Sequence, residues 1–218
     1  MKLSAFIGVS ALVLCQASHA QVSKFEGLTA TAGLGYQSTT TKISNLIGGS
    51  DGFQHTASAD ASTSLIGNVG VEYGWALSEK SVISIGLDYN LGKGKDVTPT
   101  FDGSANTNSA LNAQQNYRMS VSSGWLVNQD QLAYVKLGLV NVKSEFKALD
   151  TGVTDSVNTN SYSVGVGTKI YDKSGSFFYF GELNYLMGRS KTATLHDGSV
   201  LSYKSDGYQF MVGVGKHF

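Results

Sequence analysis

The last eleven residues of the chain decide its fold class, and they read Tyr208-Gln-Phe-Met-Val-Gly-Val-Gly-Lys-His-Phe218. Aromatic or aliphatic side chains occupy every second position from Tyr208 to Val214 and return at Phe218, while the positions between them carry Gln, Met, Gly, Gly and His. A spacing of two is the period of a β-strand whose two faces meet different surroundings. The stretch therefore predicts a C-terminal strand.

Seven earlier segments repeat this alternation of apolar and small or polar residues, so the chain contains eight predicted strands. The loss of alternation after Val140 is compatible with a β-bulge in the fifth strand. The seven segments span residues 28–36, 65–77, 83–91, 117–127, 133–139, 162–170 and 179–187.

The connections between the strands alternate in length. Tight turns are predicted at residues 78–80, 128–131 and 172–176, and long polar loops at 39–61, 92–112, 144–159 and 188–201. Short turns on one rim and long loops on the other are typical of outer-membrane barrels. We therefore predict an all-β fold, an eight-stranded antiparallel up-and-down transmembrane β-barrel, which leaves no unpaired strand edge in lipid.

Composition excludes several classes of protein. The chain of 218 residues holds 26 Gly and 1 Pro, and its 16 basic residues equal its 16 acidic residues. Balanced charge argues against a nucleic-acid partner, and 11% aromatic residues with 15% charged residues argue against disorder.

The first twenty residues are predicted to be a cleaved signal peptide. Lys2 precedes an apolar stretch at 3–14, which is too short to span a bilayer, and small residues precede a cleavage site after Ala20. The outer-membrane β-barrel domain would then be residues 21–218. Cys15 is the only cysteine and lies in the leader, so the mature chain has no disulfide, thiolate zinc site or cysteine nucleophile.

Aromatic residues identify the apolar face of the strands as the face toward lipid, because two girdles separated by aliphatic residues match the two interfaces of a bilayer. One predicted girdle lies near the tight turns and comprises Trp75, Trp125, Tyr179 and Phe218. The other lies near the long loops and comprises Tyr36, Tyr89, Tyr117, Tyr162, Tyr185 and Tyr208.

The opposite face is rich in glycine and carries three acids and three bases, which would be costly in lipid and suit a barrel interior. Two interpretations remain open, either pairing of these charges inside a filled barrel or a narrow water path with charged walls. We call the six residues the lumen charge network: Glu72, Asp88, Arg118, Lys136, Lys169 and Glu182.

The signal sequence, the alternation and the C-terminal pattern resemble the outer-membrane β-barrel superfamily of small OmpA-like, OmpX-like and opacity-type porin-family proteins over residues 25–218. The resemblance implies an outer-membrane location, contact with outer-membrane lipid and lipopolysaccharide, and recognition of the last strand by the barrel-assembly machinery. The assembly signal would comprise Phe210, Val212, Val214 and Phe218. Lys216 departs from the family pattern, and we expect its amine to extend to the interface.

Catalysis has little support in the sequence. Outside the leader, the histidines are His55, His196 and His217, and none stands in a recognisable nucleophile–base spacing. No cofactor or metal site is predicted. We therefore expect a non-enzymatic envelope-structural or surface-binding protein that acts through its four long loops, with an unknown extracellular ligand. The alternatives are a narrow porin-like channel and, third, a lipid-modifying enzyme.

Overall fold

The computed structural model describes residues 22–47, 54–92, 94–101, 104–105, 109–149, 152–194 and 200–218. The predicted signal peptide lies outside these residues. A short 3-10 helix, Ser23–Phe25, precedes the strands. The strands of the described part are β1 (Gly27–Ile47), β2 (Gln54–Ser78), β3 (Ser81–Leu91), β4 (Pro99–Phe101), β5 (Ser104–Ala105), β6 (Ser109–Asn128), β7 (Gln131–Ala148), β8 (Thr154–Tyr171), β9 (Phe177–Met187), β10 (Lys191–Thr194) and β11 (Val200–His217).

Eight of these strands close into a ring. The order around the sheet is β1, β11, β9, β8, β7, β6, β3 and β2, and β2 pairs with β1 to complete the circle. All of these pairings are antiparallel. The predicted eight-stranded up-and-down barrel is therefore confirmed, and the first and last strands seal it by pairing from Thr29 with His217 to Ile47 with Val200.

The two ends of the barrel differ. The turns at 79–80, 129–130 and 172–176 lie at one end, which also holds the 3-10 helix and the C-terminus, and we call it the turn end. We call the opposite end, where the strands extend farthest, the hairpin end. No helix in the described ranges is long and apolar enough to cross a membrane.

Most of the length of the loops predicted at 39–61 and 144–159 is strand in the structure, whereas the described parts of the loops predicted at 92–112 and 188–201 hold only short strand segments. β1 and β2 stay paired as far as Ile47 with Gln54, and β7 and β8 as far as Lys147 with Thr154. The region after β3 contributes the small β4–β5 hairpin, which adds to β2, and β10 adds to β11. Strand pairing needs only backbone hydrogen bonds, so it continues past the point where the outer face stops being apolar.

The bulge proposed after Val140 is not in that strand. β7 pairs with β8 without a register shift, whereas β6 is shifted between Gln115 and Tyr117. Val140 and Val142 point into the barrel and pack with Leu186. The alternation changes there because, above the lipid-facing band, apolar side chains are buried inside the barrel instead of facing outward.

The outer wall between the two ends is apolar. Leu87, Val121 and Val212, on three different strands, expose 48%, 49% and 48% of their surface. Soluble proteins rarely expose apolar patches of such extent, whereas lipid-facing barrel strands do. The polar face of the same strands is turned inward, and it forms the candidate site.

Candidate functional site

The structure brings the six residues of the lumen charge network together in the barrel interior. Arg118 Nη2 lies 2.9 Å from Asp88 Oδ2 and 2.7 Å from Glu182 Oε1. Lys136 Nζ forms an ion pair with the second oxygen of Glu182 and lies 4.0 Å from Asp88. Each carboxylate is thus shared between cations, which offsets the loss of hydration on burial.

The remaining two charges form a separate pair nearby, in which Lys169 Nζ lies 2.5 Å from Glu72 Oε1. The strand register explains the contact between Asp88 and Arg118 in the larger group, since these two residues are directly opposite each other on β3 and β6. Gly138 provides room for the guanidinium side chain, because a Cβ there would lie 3.0 Å from Arg118 Cδ.

Tyr134 connects the two groups, although the sequence analysis did not single it out. Its hydroxyl donates to Glu182 Oε2 at 2.9 Å, and its ring centre is 5.5 Å from Lys136 Nζ and 5.7 Å from Lys169 Nζ. The signal in the sequence was an aromatic residue on an otherwise polar face. A buried tyrosine needs a partner for its hydroxyl, and this face supplies one.

A layer of amides continues the network toward the hairpin end. Arg118 Nη1 donates to Gln209 Oε1 at 3.4 Å, and Asn184 Nδ2 donates to the same oxygen at 3.2 Å. Gln209 in turn donates to Asn90 Oδ1 at 3.4 Å, an oxygen that also accepts from Asn68 Nδ2 at 2.9 Å. These hydrogen bonds cross the barrel between strands that are distant in sequence and tie the interior together.

An apolar plug closes the interior at the turn end. The 3-10 helix carries Phe25 into the barrel mouth, where its ring meets Tyr171 edge-on at 4.7 Å. Tyr171 stacks on Phe178 at 4.8 Å, and Val22 is fully buried in the same cluster. Lys24 anchors the segment through an ion pair of 2.5 Å with Asp130. Sequence reasoning missed this plug because the segment lies before the first alternating strand.

The space that remains among the charged residues is small. A cavity of about 20 Å³ lies between Glu72, Arg118, Tyr134 and Glu182. Such a volume holds about one water molecule. At this level, the described side chains fill the interior of the barrel.

The aromatic residues assigned to the girdles lie on the outer wall. Tyr185 is half-buried because its ring packs at 5.0 Å from that of Tyr208, and Trp75 packs at 4.7 Å from Tyr73. The other members, which expose between 41% and 66% of their surface, are Trp75, Trp125, Tyr179, Phe218, Tyr36, Tyr89, Tyr117, Tyr162 and Tyr208.

The four residues assigned to the assembly signal also face outward, since Phe210, Val212, Val214 and Phe218 are all exposed. Lys216 lies among the aromatic rings at the turn end, with Nζ 5.1 Å from the ring centre of Phe218. This contact keeps the ammonium group at the edge of the apolar wall.

The histidines are far apart where the structure places them. His217 faces inward at the turn end, and its Nε2 contacts the carbonyl oxygen of Glu26. The backbone of His55 belongs to β2 near the hairpin end, opposite Leu46, and His196 lies outside the described residues. Over the described ranges, no group of three histidine, cysteine or acidic residues is arranged to hold a metal ion.

Two solved structures of other proteins share this architecture. The outer membrane protease OmpT from Escherichia coli superposes with a TM-score of 0.52 at 12% identity, over 93% of this chain and 99% of that one. The outer membrane protein AlkL, solved in lipid bilayers, gives a TM-score of 0.51 at 16% identity, over 94% and 93% of the two chains. No protein-family model and no curated protein matches the sequence. The filled interior, the apolar wall and these two likenesses lead to one conclusion, that the chain has the fold of the outer-membrane β-barrel proteins.

Proposed function

We propose that this chain is a non-enzymatic outer-membrane protein whose barrel is closed to solutes and which acts at the cell surface through its strand extensions. The observation that carries the proposal is the filled interior, which holds a plug, a charge network and an amide layer in succession. A barrel of eight strands is just wide enough for its own side chains to fill.

The outer wall supports a position in the membrane. Aliphatic side chains such as Leu137 and Val166 stand exposed between the girdles, and such a band is costly in water and favourable in lipid. The turn end would face the periplasm, because short turns and both chain ends gather there, and the hairpin end would project outside.

The interior argues against the channel. Arg118, Lys136 and Glu182 are each less than a tenth exposed and neutralise one another at contact distance, so little charge is left to attract a passing ion. The two structural likenesses do not select a function, because one is of a protease and the other is named only as an outer membrane protein.

Planar-bilayer conductance of the refolded chain, residues 21–218, tests the proposal. Folding is checked first by the different gel migration of unheated and heated samples. We expect no discrete current steps from the folded protein. Reproducible steps that change ion selectivity with Arg118→Gln would overturn the closed barrel.

Exposure of the hairpin end is tested separately by adding protease to intact cells. We expect cleavage in the connections at the hairpin end, between β1 and β2, between β3 and β6 or between β7 and β8, and protection of the three turns. Cleavage confined to the turns would reverse the orientation and refute a surface role for the hairpins.

A further inference from the structure

A cleft opens in the barrel wall near the hairpin end, between β8 and β10. β8 pairs with β9 only as far as Tyr162 with Met187, and beyond that point β10 is hydrogen-bonded to β11 in the described part of the chain. The chain leaves β8 at Gly188, which lies close against β11. The N–H of Gly188 donates to Asp206 Oδ1 at 2.9 Å, and a Cβ at this position would lie 2.1 Å from Ser205 O. The chain thus turns toward β11 and away from β8.

The cleft has the size and lining of a ligand site. Its volume is about 440 Å³, which falls within the range of small-molecule sites. Two cations stand on one wall, and no carboxylate occurs among the described residues that line it. The lining includes Tyr117, Asn141, Asn158, Asn160, Arg189 and Lys191.

The asparagines on the β8 side belong to an ordered row on the outer wall. Asn116 Nδ2 donates to Asn141 Oδ1 at 3.1 Å, and Asn141 Nδ2 donates to Asn160 Oδ1 at 3.2 Å. Asn116 can join this row because β6 has a bulge there, which places both Asn116 and Tyr117 opposite one residue of β7. Each amide has two N–H groups and two lone pairs, so these bonds leave capacity for a ligand and fix the amide planes.

The cations on the opposite wall are held in place. The Arg189 guanidinium lies 5.7 Å from the ring centre of Tyr162, and Lys191 Nζ donates to the carbonyl oxygen of Asn158. A guanidinium that rests on an aromatic ring keeps its N–H edge available, and that edge matches two oxygens of a phosphate group. Lys191 adds a second positive charge at the same mouth.

The cleft lies next to the membrane surface. Tyr117 and Tyr162 belong to the girdle of the hairpin end, so the asparagines and cations lie immediately beyond the apolar wall. We propose that the cleft binds a phosphorylated saccharide, with the phosphate on Arg189 and Lys191 and the sugar hydroxyls on the asparagine amides. This inference rests on the proposed function for its orientation, with the hairpin end outside.

The phosphorylated saccharide has two sources, a glycolipid headgroup in the outer leaflet or a free sugar phosphate. The test places the refolded chain in nanodiscs that contain bisphosphorylated lipid A or its dephosphorylated form, and separately titrates it with glucosamine 1-phosphate. Arg189→Gln with Lys191→Gln is the test variant. Lys80→Gln with Lys173→Gln, at two exposed turns, removes the same charge elsewhere.

We expect the test variant to bind phosphorylated lipid A or the sugar phosphate about tenfold more weakly, since charge-assisted hydrogen bonds are lost. The control pair should stay within about twofold of the unaltered protein, because its charges lie at the other end. If the test variant binds phosphorylated lipid A more weakly, the ligand is a glycolipid headgroup. If only its binding of the sugar phosphate is weaker, the ligand is a soluble sugar phosphate. Equal binding by the test variant and the unaltered protein, or equal binding of both forms of lipid A, would overturn the proposal.

Gel migration of heated and unheated samples shows that each variant is folded, and conductance of the same samples separates the two hypotheses. A silent barrel that binds neither probe refutes the cleft and leaves the closed barrel intact. A conducting barrel that binds lipid A refutes the proposed function and supports the cleft.

Discussion

Replacing Glu182 by glutamine removes the negative charge around which most of the lumen charge network is built. The carboxylate forms ion pairs with Arg118 at 2.7 Å and with Lys136, and it accepts hydrogen bonds from Tyr134 at 2.9 Å and Asn184 at 2.8 Å. Glutamine has nearly the same shape, so the change isolates charge from packing. The six charges then sum to one excess positive charge inside the barrel.

Removing one partner of a buried ion pair leaves an uncompensated charge, which lowers the free energy of unfolding by about 3 to 5 kcal/mol. Glu182 is only 4% exposed, so solvent screening reduces this figure little. Adding Lys136→Met restores the charge balance and fills the same space with an apolar chain. We expect the double variant to recover at least about 2 kcal/mol relative to Glu182→Gln alone.

Urea unfolding of the barrel in lipid vesicles measures both values, with tryptophan fluorescence from Trp75 and Trp125 as the signal. Glu79→Gln in the exposed turn after β2 is the matched control, and it should change the stability by less than about 0.5 kcal/mol. A loss of less than about 1 kcal/mol for Glu182→Gln, or a double variant no more stable than the single one, would show that the network does not hold the interior together.

Three further outcomes follow from the structure. Gly215→Ala should lower the free energy of unfolding by about 1 to 3 kcal/mol, because the added Cβ would lie 2.0 Å from Phe178 Cζ. The control Gly181→Ala should be near neutral, because no atom lies within 4 Å of the position of its Cβ. Equal urea midpoints for the two variants would contradict this difference. Phe25→Ala should reduce stability by about 3 kcal/mol through loss of the plug contacts, and a urea midpoint equal to that of the unaltered protein would show that the N-terminal segment does not close the barrel. The hydroxyl of Ser174 and the backbone N–H groups of the turn donate hydrogen bonds to Asp172 and lower its pKa from the ordinary value of 3.8. The ionised Asp172 therefore stabilises the fold above pH 3.8, and this stabilisation is lost as the pH falls through the lower pKa of the folded state. A carboxyl NMR titration of Ser174→Ala should show the pKa of Asp172 moving up toward 3.8, and an unchanged titration would refute the role of the hydroxyl.

Most of the barrel wall was predictable from the sequence, because each strand has lipid on one face and the packed barrel interior on the other. Lipid outside and a packed interior impose a period of two, so residues such as Leu87 and Asp88 reveal their faces by alternation alone. The same reasoning failed for the predicted loop at 144–159, because water on the outside no longer requires apolar side chains there. The strands β7 and β8 nevertheless continue through it by backbone pairing.

The candidate site was also only partly predictable from the sequence. The sequence was sufficient to place all six charges on one face, because each occupies a position of the polar period. It could not show that Arg118 contacts Glu182, since that contact joins residues 64 positions apart across the barrel. Tyr134 and Gln209 were missed as partners for the same reason, because their roles depend on which strands face each other through the lumen.

The sequence by itself thus determined the strand number, the up-and-down order and the two faces of the wall, because these depend on local alternation and on short turns between neighbours. Only the tertiary structure decided that the interior is filled, that Phe25 closes the turn end, and that a cleft opens between β8 and β10. These features arise when a sheet closes on itself, since closure alone brings distant inward-facing side chains into contact and leaves a gap where one strand departs from its neighbour.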